Sequence, residues 1–326
     1  MAKLSSAHED LNIETIRPHE ASEPNLNFPD GERITARGVT VVIPAYDEES
    51  GIEGVIDRLS ALDLGTELEI LVVNDGSKDG TGKVLERLKK KYPKLRTIDH
   101  AWNRGYGASL KTGFEAARTE VVVITDADGT YPEDRIRDLL DYIDAGAEMA
   151  IGSRTGPNVH IPLIRRPAKH ALRLLASFLA GTRIPDLNSG LRAFRRDFVL
   201  RYRPILPSGF SFTTTITLAG LTNDHRVEYV KIDYAPRKGS SKIKPVRDTL
   251  GFISLILRTI LYFNPLKVLL PAGTIVGLLF LASVFYDACV SSPPNLGDKT
   301  VMLFVATVQI FSLGFVADLI VKRTRL

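Results

Sequence analysis

Val121-Val-Val-Ile-Thr-Asp126-Ala-Asp128-Gly129 joins an uncharged run of β-branched residues to two carboxylates one residue apart. Val121 to Thr125 predicts a buried strand, because β-branched side chains suit a pleated, enclosed surface. The strand stops abruptly at Asp126, with Gly129 and Pro132 close behind. In open α/β sheets, ligands bind outside the carboxyl ends of the strands. Two carboxylates placed there repel each other unless a cation lies between them. Hard divalent ions take such oxygens, often shared with substrate phosphates. The plain alternative is a strand running into an Asp-rich turn.

The flanking sequence repeats the arrangement. Val39–Ala45, Glu69–Asn74 and Leu95–His100 predict strands; Glu49–Leu62, Gly80–Tyr92, Gly107–Arg118 and Glu133–Ala145 carry helical spacing. Strands alternating with helices at these distances predict βαβ units and a mostly parallel sheet covered on both faces. Further on, Ala147–Gly152 and Arg226–Tyr234 predict strands. Residues 163–181, Asp197–Tyr202 and Thr213–Asn223 predict helices, and residues 237–244 a basic loop. Residues 1–37 are polar, hold Pro18, Pro24 and Pro29, and predict a flexible extension. They show no apolar h-region, so no cleavable signal is expected. The catalytic domain is expected over 38–244. The chain of 326 residues has a mild net charge of +4 and one cysteine, Cys289, which excludes an intrachain disulfide or a thiolate zinc site. Nothing in it points to nucleic acid.

The last quarter differs in kind. Residues 245–264 read as a juxtamembrane amphipathic helix, with Leu250, Ile253, Leu257, Ile260 and Leu261 on one face. Within 265–326, two runs at about 266–286 and 300–320 are long enough to span, since about 20 apolar residues cross a bilayer core. The alternative is a pair of buried helices in a soluble domain. Lys238, Lys242, Lys244 and Arg247 precede the spans and Lys322, Arg323 and Arg325 follow them, whereas the connecting loop holds only Lys299. The positive-inside rule therefore places the large domain and both termini in the cytoplasm, on an inner membrane. Arg165, Arg166, Lys169 and Arg173 either attract anionic headgroups or form a solvated face.

Each strand tip also has a plain reading. Asp75-Gly76-Ser77 and Asp47-Glu48-Glu49 fit ordinary turns and helix starts. Asn103-Arg-Gly105-Tyr-Gly107 is either a phosphate cradle at a helix start or a glycine-rich turn. Trp102 is either core or a sugar platform, and none of His100, His160, His170 and His225 is read as a metal ligand. Three strands ending in acidic residues on one edge are harder to dismiss.

The ordered set Pro44-Ala-Tyr-Asp47-Glu48, Asn74-Asp75-Gly76-Ser77, Asn103-Arg-Gly105-Tyr-Gly107, Asp126-Ala-Asp128, Gly152-Ser-Arg154, Asp186-Leu-Asn-Ser189-Gly190-Leu-Arg192 and Arg237-Lys-Gly-Ser-Ser241-Lys242 resembles the family 2 glycosyltransferases of GT-A fold. Within them it resembles the polyprenyl-phosphate glycosyltransferases, such as dolichol-phosphate mannose synthase. The likeness is close over 39–263 and looser in the spans. It implies an α/β GT-A (Rossmann-like) domain with interfacial amphipathic helices and two transmembrane helices. It also implies inverting transfer of a sugar from a UDP- or GDP-linked donor, UDP-glucose or GDP-mannose for example, to dolichyl or undecaprenyl phosphate. By resemblance, Pro44, Ala45, Asp47, Glu48, Asp75 and Asp126 serve the nucleotide, with Asp75 on the base. Asp126 and Asp128 hold Mg²⁺ or Mn²⁺. Asp128, Asp186 and Arg154 form the catalytic group, and Ser189, Arg192, Arg237, Ser241 and Lys242 surround the acceptor phosphate. Two departures stand out: Asp47 where Asn is usual, and Thr130 where a metal-ligating Gln is common. Thr130 is thus a ligand through its hydroxyl or through water. A processive polysaccharide synthase is the first alternative, but it would carry Gln-x-x-Arg-Trp and more spans, and the lone tryptophan is Trp102. A non-catalytic membrane scaffold is the second. A homo-oligomer is expected from so small a membrane region.

Overall fold

The computed structural model describes residues 33–157, 173–178, 180–209, 211–236, 245–289 and 296–324. Seven strands form one sheet: β1 (Val39–Ala45), β2 (Leu68–Asn74), β3 (Leu95–Asp99), β4 (Val121–Ile124), β5 (Met149–Ser153), β6 (Arg192–Arg195) and β7 (Val227–Lys231). Their order is β3-β2-β1-β4-β6-β5-β7. β1 pairs in parallel with β2 and β4, β2 with β3, and β5 with β7. β6 runs antiparallel to β4 and β5.

The apolar runs explain the layers. On β1, Val39, Val41 and Ile43 join one core and Val42 the other, as the two-residue period of a strand requires. The first core is closed by α1 (Ile52–Ser60), α2 (Thr81–Lys91) and α4 (Ile136–Asp144). The second is closed by α3 (Tyr106–Ala116), α5 (Arg196–Tyr202) and α6 (Phe212–Thr222), where Phe114, Phe194, Phe198 and Phe212 are fully enclosed. Each such ring contributes roughly 1.5–3 kcal/mol by leaving water.

The helices fall within a few residues of the expected limits, with four differences. Glu133–Arg135 is a 3-10 turn, and α4 starts only at Ile136. β6 was not expected. Ile34–Arg37 is a docked 3-10 turn and not free extension: the Thr35 N–H and hydroxyl donate to Asp144 at 3.0 and 2.7 Å. α7 (Pro245–Phe263) follows the expected limits, but its apolar stripe is split. Ile256 and Ile260 are buried against Ala176, Ala180, Ile184, Leu187 and Leu218, while Leu261 and Tyr262 stay exposed. The rest of residues 1–37, and residues 158–172 with Arg165, Arg166, Lys169, His160 and His170, lie outside the described residues.

α8 (Leu266–Cys289) and α9 (Asp298–Thr324) pack along each other as a hairpin. Both are long and apolar enough to cross a membrane, with mean hydropathy 2.3 and 2.0 in their most apolar stretches. Leu278, Phe285, Met302 and Phe315 are more than half exposed, which helices buried in a soluble core would not show. At the turn Asp287 is buried and accepts from Gly297 N–H and Thr300 Oγ1 beside Lys299.

Candidate active site

The tips of β1 and β2 are laced together. Asp47 sits at φ 52°, a left-handed conformation that Asp and Asn adopt most readily among ordinary residues. Its N–H donates to Ser77 Oγ at 3.1 Å and its carboxylate accepts from the Lys78 N–H at 2.7 Å. Glu48 N–H donates to Thr81 Oγ1, Glu49 N–H to Asp79, and Gly80 N–H to Glu49. The departure at position 47 is thereby intelligible: Asn there could accept the same bond through its side-chain oxygen. Pro44 and Ala45 end β1 beneath this lacing, and the Ala45 carbonyl accepts from Asp75 N–H at 2.8 Å.

Asp75 is nearly sealed, at 3% exposure. Its Oδ1 is 2.6 Å from His100 Nδ1 and accepts from Arg104 N–H at 2.9 Å; its Oδ2 accepts from Gly105 N–H at 2.8 Å. His100 Nε2 lies 3.0 Å from Thr112 Oγ1. The carboxylate therefore binds the 103–105 turn. Of the two readings of that turn this favours the glycine-rich turn over the phosphate cradle, since two of its amides are already committed to Asp75. His100, which is not read as a metal ligand, buttresses Asp75. Trp102 is an exposed ring, not core.

Asp126 and Asp128 leave the end of β4 half-buried. Tyr106 Oη donates to Asp126 Oδ1 at 3.2 Å. Burial first, and then Asp126, pushes the Tyr106 phenol well above its ordinary range, so it remains a donor. Gly190 faces the same carboxylate, and a Cβ there would lie 2.8 Å from both oxygens. Thr130 is buried and its N–H and hydroxyl donate to Asp128 Oδ1 at 3.1 and 2.7 Å. Its hydroxyl proton points at Asp128, so Thr130 orients that carboxylate. Among the described residues no group of three or more His, Cys, Asp or Glu gathers for a metal. Two hard carboxylates fit a Mg²⁺- or Mn²⁺-type ion whose other ligands come from diphosphate and water.

The 186–192 segment folds inward around Arg192, which is fully buried. Its Nε donates to Ser189 O at 2.7 Å, Nη2 to Leu187 O at 2.9 Å, and Nη1 to Thr217 Oγ1 at 2.6 Å and Thr213 O at 3.2 Å. Ser189 is equally enclosed and donates to Gly152 O. Both side chains thus spend their polar groups inside the protein, which favours a structural role over contact with an acceptor phosphate; a forked guanidinium satisfies carbonyls as readily as phosphates.

What the segment delivers is Asp186, which is 1% exposed. It binds Arg154 bidentately, Nε to Oδ2 at 2.7 Å and Nη2 to Oδ1 at 2.9 Å, and also accepts from the Arg154 and Asn188 N–H groups. Asp186 is thus a positioning carboxylate for Arg154. The Arg154 guanidinium also lies over the Tyr234 ring at 5.2 Å, and Tyr234 meets Tyr131 edge-on at 5.2 Å. Burial opposes the Arg154 charge, but Tyr131 and Asp186 outweigh it and hold the group well above its ordinary value. Arg154 Nη1 has no partner among the described residues. Tyr131 accepts the Gly190 N–H at 2.6 Å, so it links the two sides of the site. Tyr106, Tyr131, Gly190 and Tyr234 carried no earlier expectation; only Tyr106 and Gly190 stood inside quoted motifs. Arg237, Ser241 and Lys242 lie outside the described residues.

Residues 40–203 match the Glycosyl transferase family 2 domain, and the chain belongs to that family. Residues 264–322 match the family described as GtrB C-terminal hairpin. Among curated relatives, polyprenol monophosphomannose synthase of Mycolicibacterium smegmatis is 32% identical over 69% of this chain and 88% of its own length. An undecaprenyl-phosphate 4-deoxy-4-formamido-L-arabinose transferase of Pseudomonas savastanoi is 29% identical over 85% of this chain and 81% of its own. In fold the chain is similar to glucosyl-3-phosphoglycerate synthase of Mycobacterium tuberculosis, solved with Mn²⁺ and UDP, at TM-score 0.54 and 21% identity over 74% of this chain and 85% of the other.

Proposed function

We propose that the protein is a membrane-bound inverting glycosyltransferase that moves a sugar from a nucleotide-diphosphate donor to polyprenyl phosphate. The product is a lipid-phosphate monosaccharide, a donor for later glycan assembly. The observation that carries this reading is the facing of two charge centres across Tyr131. Asp126 and Asp128 stand on one side, and Arg154, held by Asp186 and with Nη1 uncommitted among the described residues, stands on the other. The names of the relatives favour a lipid-phosphate acceptor, and the two long apolar helices would keep the enzyme where such a lipid resides.

The chemistry follows from the charges. A phosphate monoester is anionic near neutral pH, so it needs positioning more than a general base. Arg154 would gather it, because guanidinium–phosphate pairs are directional and strong. Asp186 and Tyr234 fix that guanidinium before the acceptor arrives, which limits reorganisation during reaction. The acceptor oxygen attacks the anomeric carbon from the face opposite the nucleotide, the bond to the diphosphate breaks, and configuration inverts. Asp126 and Asp128 would hold the divalent ion, Mg²⁺ or Mn²⁺, which when bound neutralises charge on the leaving diphosphate. Tyr106 and Thr130 hold these carboxylates in place. The basic residues flanking the two spans favour a cytoplasmic head domain.

The test is transfer of label from a panel of UDP- and GDP-sugars to undecaprenyl or dolichyl phosphate by the detergent-purified protein. Lipid-linked label from one donor, abolished by EDTA and by Asp128→Ala, is expected. Hydrolysis or polymer without lipid product from every donor would overturn the acceptor assignment.

A further inference from the structure

α1 lies along the back of the Asp126–Gly129 turn. Three positions on one helical face make the contact, at i, i+4 and i+7. A Cβ on Gly51 would lie 2.7 Å from Ala127 O and 3.1 Å from Asp128 Cα, so the helix start presses directly on the turn. One turn further along, Val55 approaches Gly129, whose Cβ would sit 3.8 Å from Val55 Cγ2. Arg58 completes the stripe, with Nη2 3.0 Å from that same Cβ position. Gly129 has φ +70° and no side chain of its own to hold the turn.

Arg58 is itself held. Its Nε donates to Glu133 Oε2 at 2.7 Å and its Nη2 to Glu133 Oε1 at 2.9 Å. Glu133 is 3% exposed and belongs to the 3-10 turn that follows the acidic loop. A buried carboxylate is stable only when paired, and the paired guanidinium brings its Nη2 edge against Gly129. The acidic loop is thus gripped on both sides: α1 lies below it, and the Glu133 turn anchors its exit.

We propose that Arg58 and Glu133 are positioning residues for divalent-ion binding, acting by clamping the Asp128–Gly129 turn between α1 and the 3-10 turn. This rests on the reading of Asp126 and Asp128 as the ion's carboxylates. Lysine cannot replace Arg58, because a point charge cannot fork to both Glu133 oxygens while also bearing on Gly129.

The experiment measures Mn²⁺ retained by the full-length protein in detergent, from the free-Mn²⁺ electron paramagnetic resonance signal, with saturating UDP and in parallel with GDP. Arg58→Met and Glu133→Gln are each expected to weaken Mn²⁺ binding about tenfold, the lower end of the effect of removing partners that orient metal ligands. The double variant is expected to be no weaker than the worse single one, since both break the same clamp. Arg58→Lys, the milder change, should show most of the same loss while keeping its fold, and KM for the lipid acceptor should stay unchanged. Unaltered Mn²⁺ affinity in folded Arg58→Lys and Glu133→Gln, or a purely thermal destabilisation, would overturn the clamp. Failure of the wild type to bind Mn²⁺ with either nucleotide, matching Asp128→Ala, would overturn the underlying metal reading and the clamp with it.

Discussion

Gly190→Ala probes the tightest contact in the site. The φ of Gly190 lies outside the left-handed region, so alanine adopts the backbone without strain and the effect is confined to what its Cβ meets. That carbon would lie 2.8 Å from both Asp126 oxygens and 3.0 Å from Cγ. An ordinary carbon–oxygen contact needs roughly half an ångström more. Gly190 is pinned by its N–H bond to Tyr131, so Asp126 must yield. Turning the carboxylate off its rotamer costs about 1 kcal/mol, and loss of the Tyr106 hydrogen bond costs about 1 kcal/mol more. The sum, about 2 kcal/mol, corresponds to roughly a thirtyfold fall in kcat/KM. The assay is lipid-linked transfer against Mn²⁺ concentration, beside a thermal melt. A raised Mn²⁺ requirement is expected at temperatures well below the melt, beside a fall in Tm of about 4–8 °C from the same ~2 kcal/mol. Wild-type metal dependence, or a loss of activity that only follows a fall in Tm, would refute the placement of Gly190 against Asp126.

Arg192→Met removes donors from three buried carbonyls and the Thr217 hydroxyl. It should lower stability by on the order of 3 kcal/mol and Tm by about 6–12 °C; a normal Tm with a raised acceptor KM would restore Arg192 to the phosphate. Asp75→Asn leaves one acceptor oxygen where two are used and turns an amide donor toward the Arg104 and Gly105 amides. Amide exchange in residues 103–105 should quicken and UDP or GDP affinity should fall, and unchanged exchange would count against Asp75 as the anchor of that turn. Burial raises the phenol pKa values of Tyr106, Tyr131 and Tyr229 above the ordinary 10.0. Their folded state thus binds protons that the unfolded chain releases above about pH 10, so the stability they contribute is full below that pH and declines above it. Absorbance at 295 nm should show these phenols ionising only as the protein unfolds; their earlier titration in the folded state would count against their burial.

The fold was legible because its strands carry their own signature. Val121–Ile124 and Leu68–Asn74 have no competing helical period, and burial on both faces demands just such runs. β6 escaped notice because Arg192-Ala-Phe-Arg195 is short and bracketed by charge, and its strand character comes from the two neighbours it pairs with. At the site, sequence located the acidic tips but could not separate a side chain that faces a ligand from one that faces the protein. Arg154 and Arg192 are the same residue type in comparable motifs. One keeps a guanidinium nitrogen uncommitted among the described residues and the other spends every nitrogen on internal acceptors. Asp75 and Asp186 differ from Asp126 in the same way: only the fold brings the amides of 104–105 and the guanidinium of Arg154 within reach.

Strand β6 also fixes where the two sides of the candidate site stand relative to each other. In the sheet it alone joins β3-β2-β1-β4 to β5-β7, through four residues. Asp126 and Asp128 follow the last strand of the first set, and Arg154 follows β5 in the second. The carboxylate pair and the Arg154 guanidinium therefore stand on opposite banks of a narrow seam, with Arg192 at its head and Gly190 just beyond. Both hydrophobic cores cross that seam, one joining Val41 and Val123 to Ala150 and Val230, the other joining Val42 and Ile124 to Met149 and Ile151, so the two banks cannot part without opening the core on either face and the distance between them is set by the sheet itself.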